Sequence, residues 1–324
     1  RLRLVSAPPP KDIRIMLMSD LNSRYGSTEY EPEVYRTLSF IPVCQPDLII
    51  CAGDMIAGQK RTLTKEQIQA MWRAFDSKIA QPIYESNIPF AFTLGNHDAS
   101  GSKAEGVYIF QNERELAQQY WQQQINKLKI NFVDKNNFPF YYSFIQQDIF
   151  YSVWDASTHL VGDEQLIWIE NSLKSPIAQA AKMRLVIGHL PFYPVAVGRD
   201  KYGGYLAQAE QLRKLLEKYN VHTYISGHHH AYFPGKRGKL ELLYNGALGG
   251  GPRQLLDRKL PPRKTFTLMD IDLTSLKTIY TTFDLKNLEI VANTELPEII
   301  SSPQGKILRR DVNLQNSGVS TNYF

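Results

Sequence analysis

The sequence predicts an α/β protein built around parallel strands, and two kinds of observation support this fold class. Apolar runs at 13–18 and 47–52 flank a segment with helical spacing, which is the strand–helix–strand order of a parallel unit. Further apolar runs at 89–94, 183–187 and 222–225 alternate with helical segments. Each of these runs ends in a short polar cluster, in chain order SDLN, AGDM, LGNHD, IGHLP and SGHHH. Because the carboxyl ends of parallel strands share one edge of a sheet, we expect all five clusters to meet there.

Composition excludes several classes of function. The chain has 324 residues, of which 43% are hydrophobic and 21% charged, as in an ordinary globular protein. The net charge of +5 is spread along the chain without a long basic block, so we expect no long nucleic-acid partner. No run of 18 apolar residues occurs, so we expect no membrane span. The sequence does not indicate an oligomeric state.

The remaining elements follow from periodicity and turn residues. Helical spacing predicts helices at 31–43, 64–85, 112–128, 163–173 and 206–219. Strands are predicted as a hairpin of 140–144 with 149–153, and then at 240–245, 264–272, 276–283 and 287–292. Thr64 to Gln67 fits a capping box, Pro82 should bend or end its helix, and Phe233-Pro234-Gly235 is predicted to be a turn.

The organisation along the chain is a single domain with two terminal additions. We predict an exposed lead-in at 1–12, the domain at 13–292, and a polar extension without periodicity at 293–324. The chain begins at Arg1 and the lead-in is rich in proline, so we expect an exported or periplasmic protein rather than a cytoplasmic one. Its two cysteines, Cys44 and Cys51, are expected to be buried thiols.

The polar clusters combine carboxylate, amide and imidazole groups and contain no thiol. They hold five of the seven histidines. The candidate side chains are Asp20, Asn22, Asp54, Asn96, His97, Asp98, His189, His228, His229 and His230. This donor set suits manganese, iron or zinc. On an extended segment His228 and His230 face the same way while His229 faces away, and the two oxygens of Asp54 suit it to bridge two ions.

These motifs resemble those of the calcineurin-like metallophosphoesterases. The chain carries Gly-Asp at 53–54, Gly-Asn-His-Asp at 95–98, Gly-His at 188–189 and Gly-His-His-His at 227–230, in that family's order, within a resemblance that covers 13–272. The resemblance implies a four-layer sandwich of two mixed β-sheets flanked by helices. It also implies a hydrolase acting on phosphate ester bonds of a small phosphorylated substrate, either a phosphomonoester or a phosphodiester, with two divalent metal ions.

The resemblance also implies a role for each site residue. Asp20 and His230 would bind the first ion, Asp54 would bridge both, and the second ion would take Asn96, His189 and His228. His97 would protonate or stabilise the leaving group, and Asp98 would orient His97 through a hydrogen bond. The nucleophile would be a metal-bound hydroxide.

Two positions depart from the family pattern. The first motif is usually Asp-x-His, whereas this chain has Asp20-Leu21-Asn22, so Asn22 either ligates weakly, holds a water molecule or does not ligate. Ala57 stands where the purple acid phosphatases have a tyrosine ligand, which disfavours that branch. The alternative function is a catalytically weak metal-binding scaffold on the same fold. Arg24, Arg199 and Lys201 are either phosphate anchors or surface charges.

Overall fold

The fold was analysed in a computed structural model, which describes residues 3–4 and 6–313. Its strands are β1 Ile13–Met18, β2 Leu48–Cys51, β3 Phe90–Phe92, β4 Lys103–Ala104, β5 Val107–Tyr108, β6 Phe132–Asp134, β7 Tyr142–Gln146, β8 Ile149–Val153, β9 Met183–Ile187, β10 Thr223–Ser226, β11 Phe233–Arg237, β12 Leu240–Tyr244, β13 Thr265–Asp272, β14 Lys277–Asp284, β15 Ile299–Ser302 and β16 Gly305–Arg309. Its α-helices are α1 Pro32–Ser39, α2 Ile41–Cys44, α3 Lys65–Phe75, α4 Gln81–Glu85, α5 Asn96–Ala99, α6 Gln111–Gln124, α7 Asp163–Lys174, α8 Pro176–Ala180 and α9 Ala209–Lys218.

Two mixed sheets form the centre of the molecule. One has the order β14-β13-β1-β2-β3, and the other has the order β15-β16-β11-β12-β10-β9-β8-β7-β6. Strands β1, β2 and β3 are parallel in the first sheet, and β8, β9, β10 and β12 are parallel in the second. The predicted fold class of two mixed β-sheets with flanking helices is therefore confirmed.

The parallel strands bring the polar clusters to one place. Asp20 follows β1, Asp54 follows β2 and Asn96 follows β3 in the first sheet. His189 follows β9 and His228 follows β10 in the second sheet. Side chains from the two sheets are in direct contact, because Nε2 of His189 lies 3.2 Å from Oδ2 of Asp54. The five clusters thus meet at a shared edge, which we call the polar edge.

A buried ion pair anchors the strand that carries Asp20. Arg14 on β1 contacts Asp270 on β13 at 3.0 Å, and both side chains are almost fully buried. The Arg14 guanidinium also donates to the carbonyl of Cys44 at 3.1 Å, which ties the end of α2 to the sheet. Removing one partner would leave an uncompensated buried charge, which typically costs about 3–5 kcal/mol.

Two predicted helices are interrupted. The helix predicted at 31–43 is split into α1 and α2 at Phe40, with a proline in the first turn of each. The helix predicted at 64–85 begins with the capping box of Thr64 and Gln67, as expected, but a π-helical turn at Asp76–Ala80 separates α3 from α4. Pro82 lies in the first turn of α4. A proline lacks the backbone N–H that the preceding turn would use, which explains the local change of helix type.

Two predictions about the second half of the chain are wrong. Phe233-Pro234-Gly235 is not a turn, because it forms the start of β11, which pairs with β12 and β16. The strand predicted at 287–292 is reduced to an isolated bridge between Phe283 and Ile290.

In the segment beyond residue 293, β15 and β16 pair with each other and β16 pairs with β11, so this segment extends the second sheet. Residues 314–324 of the predicted extension lie outside the described residues.

Two smaller expectations also have outcomes. Cys44 and Cys51 are both buried free thiols, as predicted. The helices within the described part of the chain include none long and apolar enough to cross a membrane.

Candidate active site

Four side chains of the polar edge are carried by residues with left-handed backbone. The φ angles are 53° at Asp20, 58° at Asp54, 69° at His228 and 54° at His230. For a residue other than glycine this conformation costs roughly 1–2 kcal/mol. Strain of this kind persists where the surrounding structure imposes it, and it is concentrated at functional sites. At the polar edge it affects residues from both sheets, so the surrounding contacts must hold these four side chains in position.

The first group of potential ligands is fully buried, and we call it the inner cluster. It consists of Asp54, His189 and His228, whose donor atoms all lie within 4.8 Å of one another. The Oδ1 atom of Asn96 is 3.0 Å from Nε2 of His189 and 3.1 Å from Nδ1 of His228. One carboxylate, one amide oxygen and two imidazoles therefore converge, as predicted from the sequence.

The orientation of Asn96 is fixed by a residue that the sequence analysis did not identify. Nδ2 of Asn96 donates to Oε1 of Gln59 at 2.6 Å, which turns its Oδ1 atom toward the two histidines. The backbone N–H of Gln59 in turn donates to the buried carboxyl group of Glu113 at 2.6 Å. Gln59 has left-handed backbone with φ 68°, and Glu113 lies in helix α6. No sequence pattern predicts left-handed backbone at Gln59, so the role of this residue could not be found from the sequence.

The second group of potential ligands, the outer cluster, consists of Asp20, Asp54 and His230. Oδ1 of Asp20 lies 3.1 Å from Nε2 of His230. The other oxygen of Asp20 accepts hydrogen bonds from the Ser19 hydroxyl at 2.6 Å and from the backbone N–H of His228 at 3.1 Å. Asp54 belongs to both clusters, and its bridging of two ions stays a prediction.

Asn22 has a buried amide oxygen without a partner. The residue is 8% exposed, and its Oδ1 atom makes no hydrogen bond to any residue that the structure describes. A buried acceptor left unpaired costs about 1–3 kcal/mol. A cation or a water molecule would satisfy this oxygen, which is consistent with two of the roles left open for Asn22.

His97 lies beside the clusters but is not oriented by Asp98. Nδ1 of His97 donates to the carbonyl of Gly58 at 2.8 Å, and its ring contacts Tyr25 with centroids 5.4 Å apart. The carboxyl group of Asp98 instead accepts backbone N–H bonds of 2.8–2.9 Å from Asp54, Met55, Ile56 and Gly95. The predicted His97–Asp98 hydrogen bond is therefore wrong. Asp98 is buried beneath the loop that presents Asp54, and it holds that loop in place.

Backbone carbonyl groups hold the histidines of the two clusters. Nδ1 of His189 donates to Ala52 at 2.7 Å, and Nδ1 of His230 donates to Gly251 at 2.8 Å. In both residues Nε2 is then the atom free to face a ligand. His229 points elsewhere, since its Nε2 donates to the carbonyl of Gly204 at 2.7 Å.

Burial and charge pull the pKa values of the polar edge apart. Burial alone would lower the pKa of His189, but the carboxylates of Asp54 and Asp20 raise it to about 9. Burial would raise the pKa of Asp54, yet His189 and His97 hold it well below its usual range. Burial and the charge of His189 lower the pKa of His228. Such opposed shifts at one location are typical of a functional site.

Two glycines allow the chain segments to approach each other. A Cβ atom at Gly95 would collide with the carboxyl group of Asp54, and one at Gly227 would lie 2.8 Å from Oδ2 of Asp20. These are the glycines that precede Asn96 and His228, so they provide the room in which the ligand-bearing loops come together.

The donor set fits divalent transition metals. Both clusters offer carboxylate oxygen and imidazole nitrogen, the inner cluster adds an amide oxygen, and neither includes a thiol. The Nε2 atoms of His189 and His230 and the unpaired Oδ1 atom of Asn22 are available as ligands. Each of the two clusters therefore offers a donor set that could hold a divalent metal ion, and Asp54 belongs to both.

Comparison with known proteins agrees with this arrangement. A family model described as "Calcineurin-like phosphoesterase" matches residues 13–232. A curated relative, "Probable purple acid phosphatase 20" of Arabidopsis thaliana, is 24% identical over 236 residues, which is 69% of this chain and 47% of the relative.

Solved structures share the fold. A purple acid phosphatase from yellow lupin has a TM-score of 0.61 at 17% identity over 88% of this chain and 54% of its own. A dimetal phosphatase from Danio rerio gives 0.56 at 14% identity over 87% and 98%. GAP50, described as the anchor in the inner membrane complex of Plasmodium, gives 0.54 at 14% identity over 86% and 87%. This chain spans about half the length of the two purple acid phosphatases. Ala57, the position at which the sequence analysis expects a tyrosine ligand in a purple acid phosphatase, is buried, and its side chain has no ligand atom.

Proposed function

Because the chain belongs to the calcineurin-like phosphoesterase family, we propose that it is a metal-dependent hydrolase of small phosphate esters. The observation that carries this proposal is the convergence of the inner and outer clusters on the shared carboxylate of Asp54, with His97 beside them. The backbone N–H of His97 donates to Oδ1 of Asp54 at 2.9 Å, which ties the position of this histidine to the centre of the site.

The two clusters would hold two divalent ions. Asp20, Asp54 and His230 would hold one, and Asp54, Asn96, His189 and His228 would hold the other. When bound, such a pair offsets the charge of a phosphate group and lowers the pKa of water. Manganese, iron and zinc all suit these donors, so the metal is to be determined by reconstitution.

His97 is assigned the proton transfer to the leaving group. In hydrolysis the oxygen of water bonds to phosphorus, the ester P–O bond breaks, and the departing oxygen takes up a proton. Nδ1 of His97 is held by the Gly58 carbonyl, so Nε2 is the atom available to deliver that proton. Contact with Tyr25 limits rotation of the ring. Water would return the proton to Nε2 before the next turnover.

Metal analysis combined with ester hydrolysis tests this function. The purified chain, loaded separately with manganese, iron or zinc, should bind two ions and hydrolyse p-nitrophenyl phosphate or bis-p-nitrophenyl phosphate. His97→Asn should lower turnover by about 10²–10⁴-fold without changing the metal content. The loss should be larger for phenyl phosphate than for p-nitrophenyl phosphate, because the poorer leaving group depends more on protonation.

A control and an opposite outcome complete this test. His159→Asn should retain full activity, because His159 contacts Tyr202 and belongs to neither cluster. Two bound ions without hydrolysis of any ester would instead favour the alternative, a metal-binding scaffold on the same fold. GAP50, which has a similar fold, is described as an anchor. In this chain, the feature that favours the scaffold alternative is the unpaired amide oxygen of Asn22.

A further inference from the structure

Two arginines lie next to the polar edge on neighbouring loop segments. Arg253 is joined to the outer cluster by its backbone, because its N–H donates to the carbonyl of His230 at 3.0 Å. Arg199 lies on the facing segment, which is paired to that of Arg253 by the bridge between Ala196 and Leu255. Nη1 of Arg253 donates to the carbonyl of Val197 at 3.1 Å. The two segments that carry these arginines therefore lie side by side, and that of Arg253 is joined to His230.

Neither guanidinium group forms an ion pair with a residue that the structure describes. The Nε atoms of Arg199 and Arg253 are buried and make no hydrogen bond within the part of the chain that the structure describes. The side chains of Arg199 and Arg253 as a whole are half-buried. The more deeply buried arginines differ, because Arg14 is paired with Asp270, Arg114 with Asp155 and Arg309 with Asp311. Burial and the nearby charge of Arg253 lower the pKa of Arg199.

The nearest negative charges are already required by the metal site. Asp20 and Asp54 are the carboxylates whose charges favour the ionised form of Arg199, and Tyr25 acts in the same direction. Arg199 is therefore close enough to the clusters and to Tyr25 for their charges to act on it. Once Asp20 and Asp54 hold divalent ions, their charge is committed to those ions. An anion bound beside the two arginines would supply the partner that their Nε–H groups lack.

We infer that Arg199 and Arg253 form an anion-binding pair that takes an unesterified oxygen of the substrate phosphate, so that this chain prefers phosphomonoesters to phosphodiesters. This inference rests on the proposed function. It goes beyond that proposal in selecting one of the two substrate classes that the metal site by itself accepts.

The preference follows from charge and from geometry. A phosphomonoester carries close to two negative charges at neutral pH, because its second pKa is about 6. It also has three unesterified oxygens, so one remains for the arginines when the others face the metal ions. A diester has one charge, and its second ester group would occupy the position of that oxygen. The buried Nε–H groups would then stay unpaired, and a site with unpaired donors discriminates strongly against such a substrate.

The test compares two esters and measures phosphate binding separately. Arg199→Met and Arg253→Met are expected to lower kcat/KM for p-nitrophenyl phosphate by about 10–100-fold, the effect of losing a charge-assisted hydrogen bond of about 1.5–3 kcal/mol. In the same two variants, kcat/KM for bis-p-nitrophenyl phosphate should change by less than about threefold. Inorganic phosphate, titrated calorimetrically into the metal-loaded protein, should bind more weakly to both variants.

Control variants separate charge recognition from folding. Arg73→Met makes the same change on the exposed face of α3 and should leave both esters unaffected. Arg199→Lys keeps the charge but loses the planar fork, so it should recover part of the monoester activity. The metal content of every variant should remain at the wild-type value.

The outcomes separate this inference from the proposed function. Equal losses for both esters, or no loss for either, would overturn the arginine assignment while leaving the hydrolase intact. If the wild-type chain hydrolyses neither ester, the proposed function fails. The phosphate titration then decides about the arginines: weaker binding by both Met variants supports the anion-binding pair, and unchanged binding refutes it.

Discussion

The inner and outer clusters share Asp54 and one edge of the molecule, yet they differ in closure. The side chain of His189 in the inner cluster is fully buried, whereas that of His230 in the outer cluster is 13% exposed. The inner cluster offers two imidazoles and the oriented amide of Asn96. The outer cluster offers two carboxylates and one imidazole, and the unpaired amide oxygen of Asn22 lies two residues after Asp20. We therefore expect the outer cluster to release its ion first.

The difference arises from what lies behind each ligand. In the inner cluster, the chain of hydrogen bonds from Glu113 through Gln59 holds Asn96. In the outer cluster, Asp20 is held by Ser19 and the His228 N–H, but no hydrogen bond within the described residues holds the Oδ1 atom of Asn22. Ligands that are held in place lose less entropy when they bind an ion. The two clusters can therefore bind their ions with different affinity although they lie at the same edge.

Substitution of Asp54, which belongs to both clusters, should affect both metal sites equally. Asp54→Asn is expected to lose both ions and to lower hydrolysis by more than the 10–100-fold that loss of an outer-shell partner typically causes. Asp148→Asn is a matched control, because Asp148 is exposed and also has left-handed backbone, with φ 65°. Elemental analysis checks both variants. Retention of two ions by Asp54→Asn would contradict the bridging role.

Removing one histidine at a time should separate the clusters. In the wild-type protein a chelator is expected to remove the ions in a fast and a slow phase. His230→Ala should eliminate the fast phase, since it removes an outer ligand, and His228→Ala should eliminate the slow one. The pair is matched, because both residues have left-handed backbone that alanine strains similarly. If both variants lost the same phase, the assignment of ligands to two clusters would be wrong.

Loss of the support behind Asn96 should weaken only the inner cluster. Gln59→Leu removes the acceptor of the Asn96 amide, so the affinity of the slowly released ion should fall by about 10–100-fold. Gln45→Leu is the control, because Gln45 is exposed and has left-handed backbone, with φ 48°. Metal-binding titrations at constant pH measure the change. An equal effect on both ions would mean that Gln59 supports the general fold and not Asn96.

The sequence was sufficient to predict which side chains meet at the polar edge, but not which residues hold them in place. Apolar strands followed by Gly-His or Gly-Asp predicted the polar edge, because strand ends and ligand types are local properties. Asp98 shows the limit of this reasoning. Its place beside His97 suggested contact, yet the short helix α5 turns its carboxyl group toward the backbone of Asp54 to Ile56. Neighbours in sequence need not be neighbours in a site.

Other errors have the same origin in long-range contacts. Strand β11 contains Pro234 and Gly235, which locally favour a turn, but pairing with β12 and β16 determines its conformation. β16 comes from the segment beyond residue 293, about seventy positions away in the chain, and no local pattern predicts that pairing. The hydrogen bond from Asn96 to Gln59 spans 37 residues and was missed for the same reason.

Substitution of Asn22 should change metal binding least, so it is the most sensitive test of the difference between the two clusters. If its amide oxygen binds the outer ion, Asn22→Ala should weaken that ion by about tenfold, at the low end of the effects expected for a ligand shell. Asn22→His should strengthen the same ion, since imidazole is the better donor for a transition metal. The fast chelator phase measures both changes, and the slow phase is the internal control. A fast phase unaltered by either substitution would show that Asn22 does not ligate, and the outer ion would then depend on Asp20, Asp54 and His230 alone.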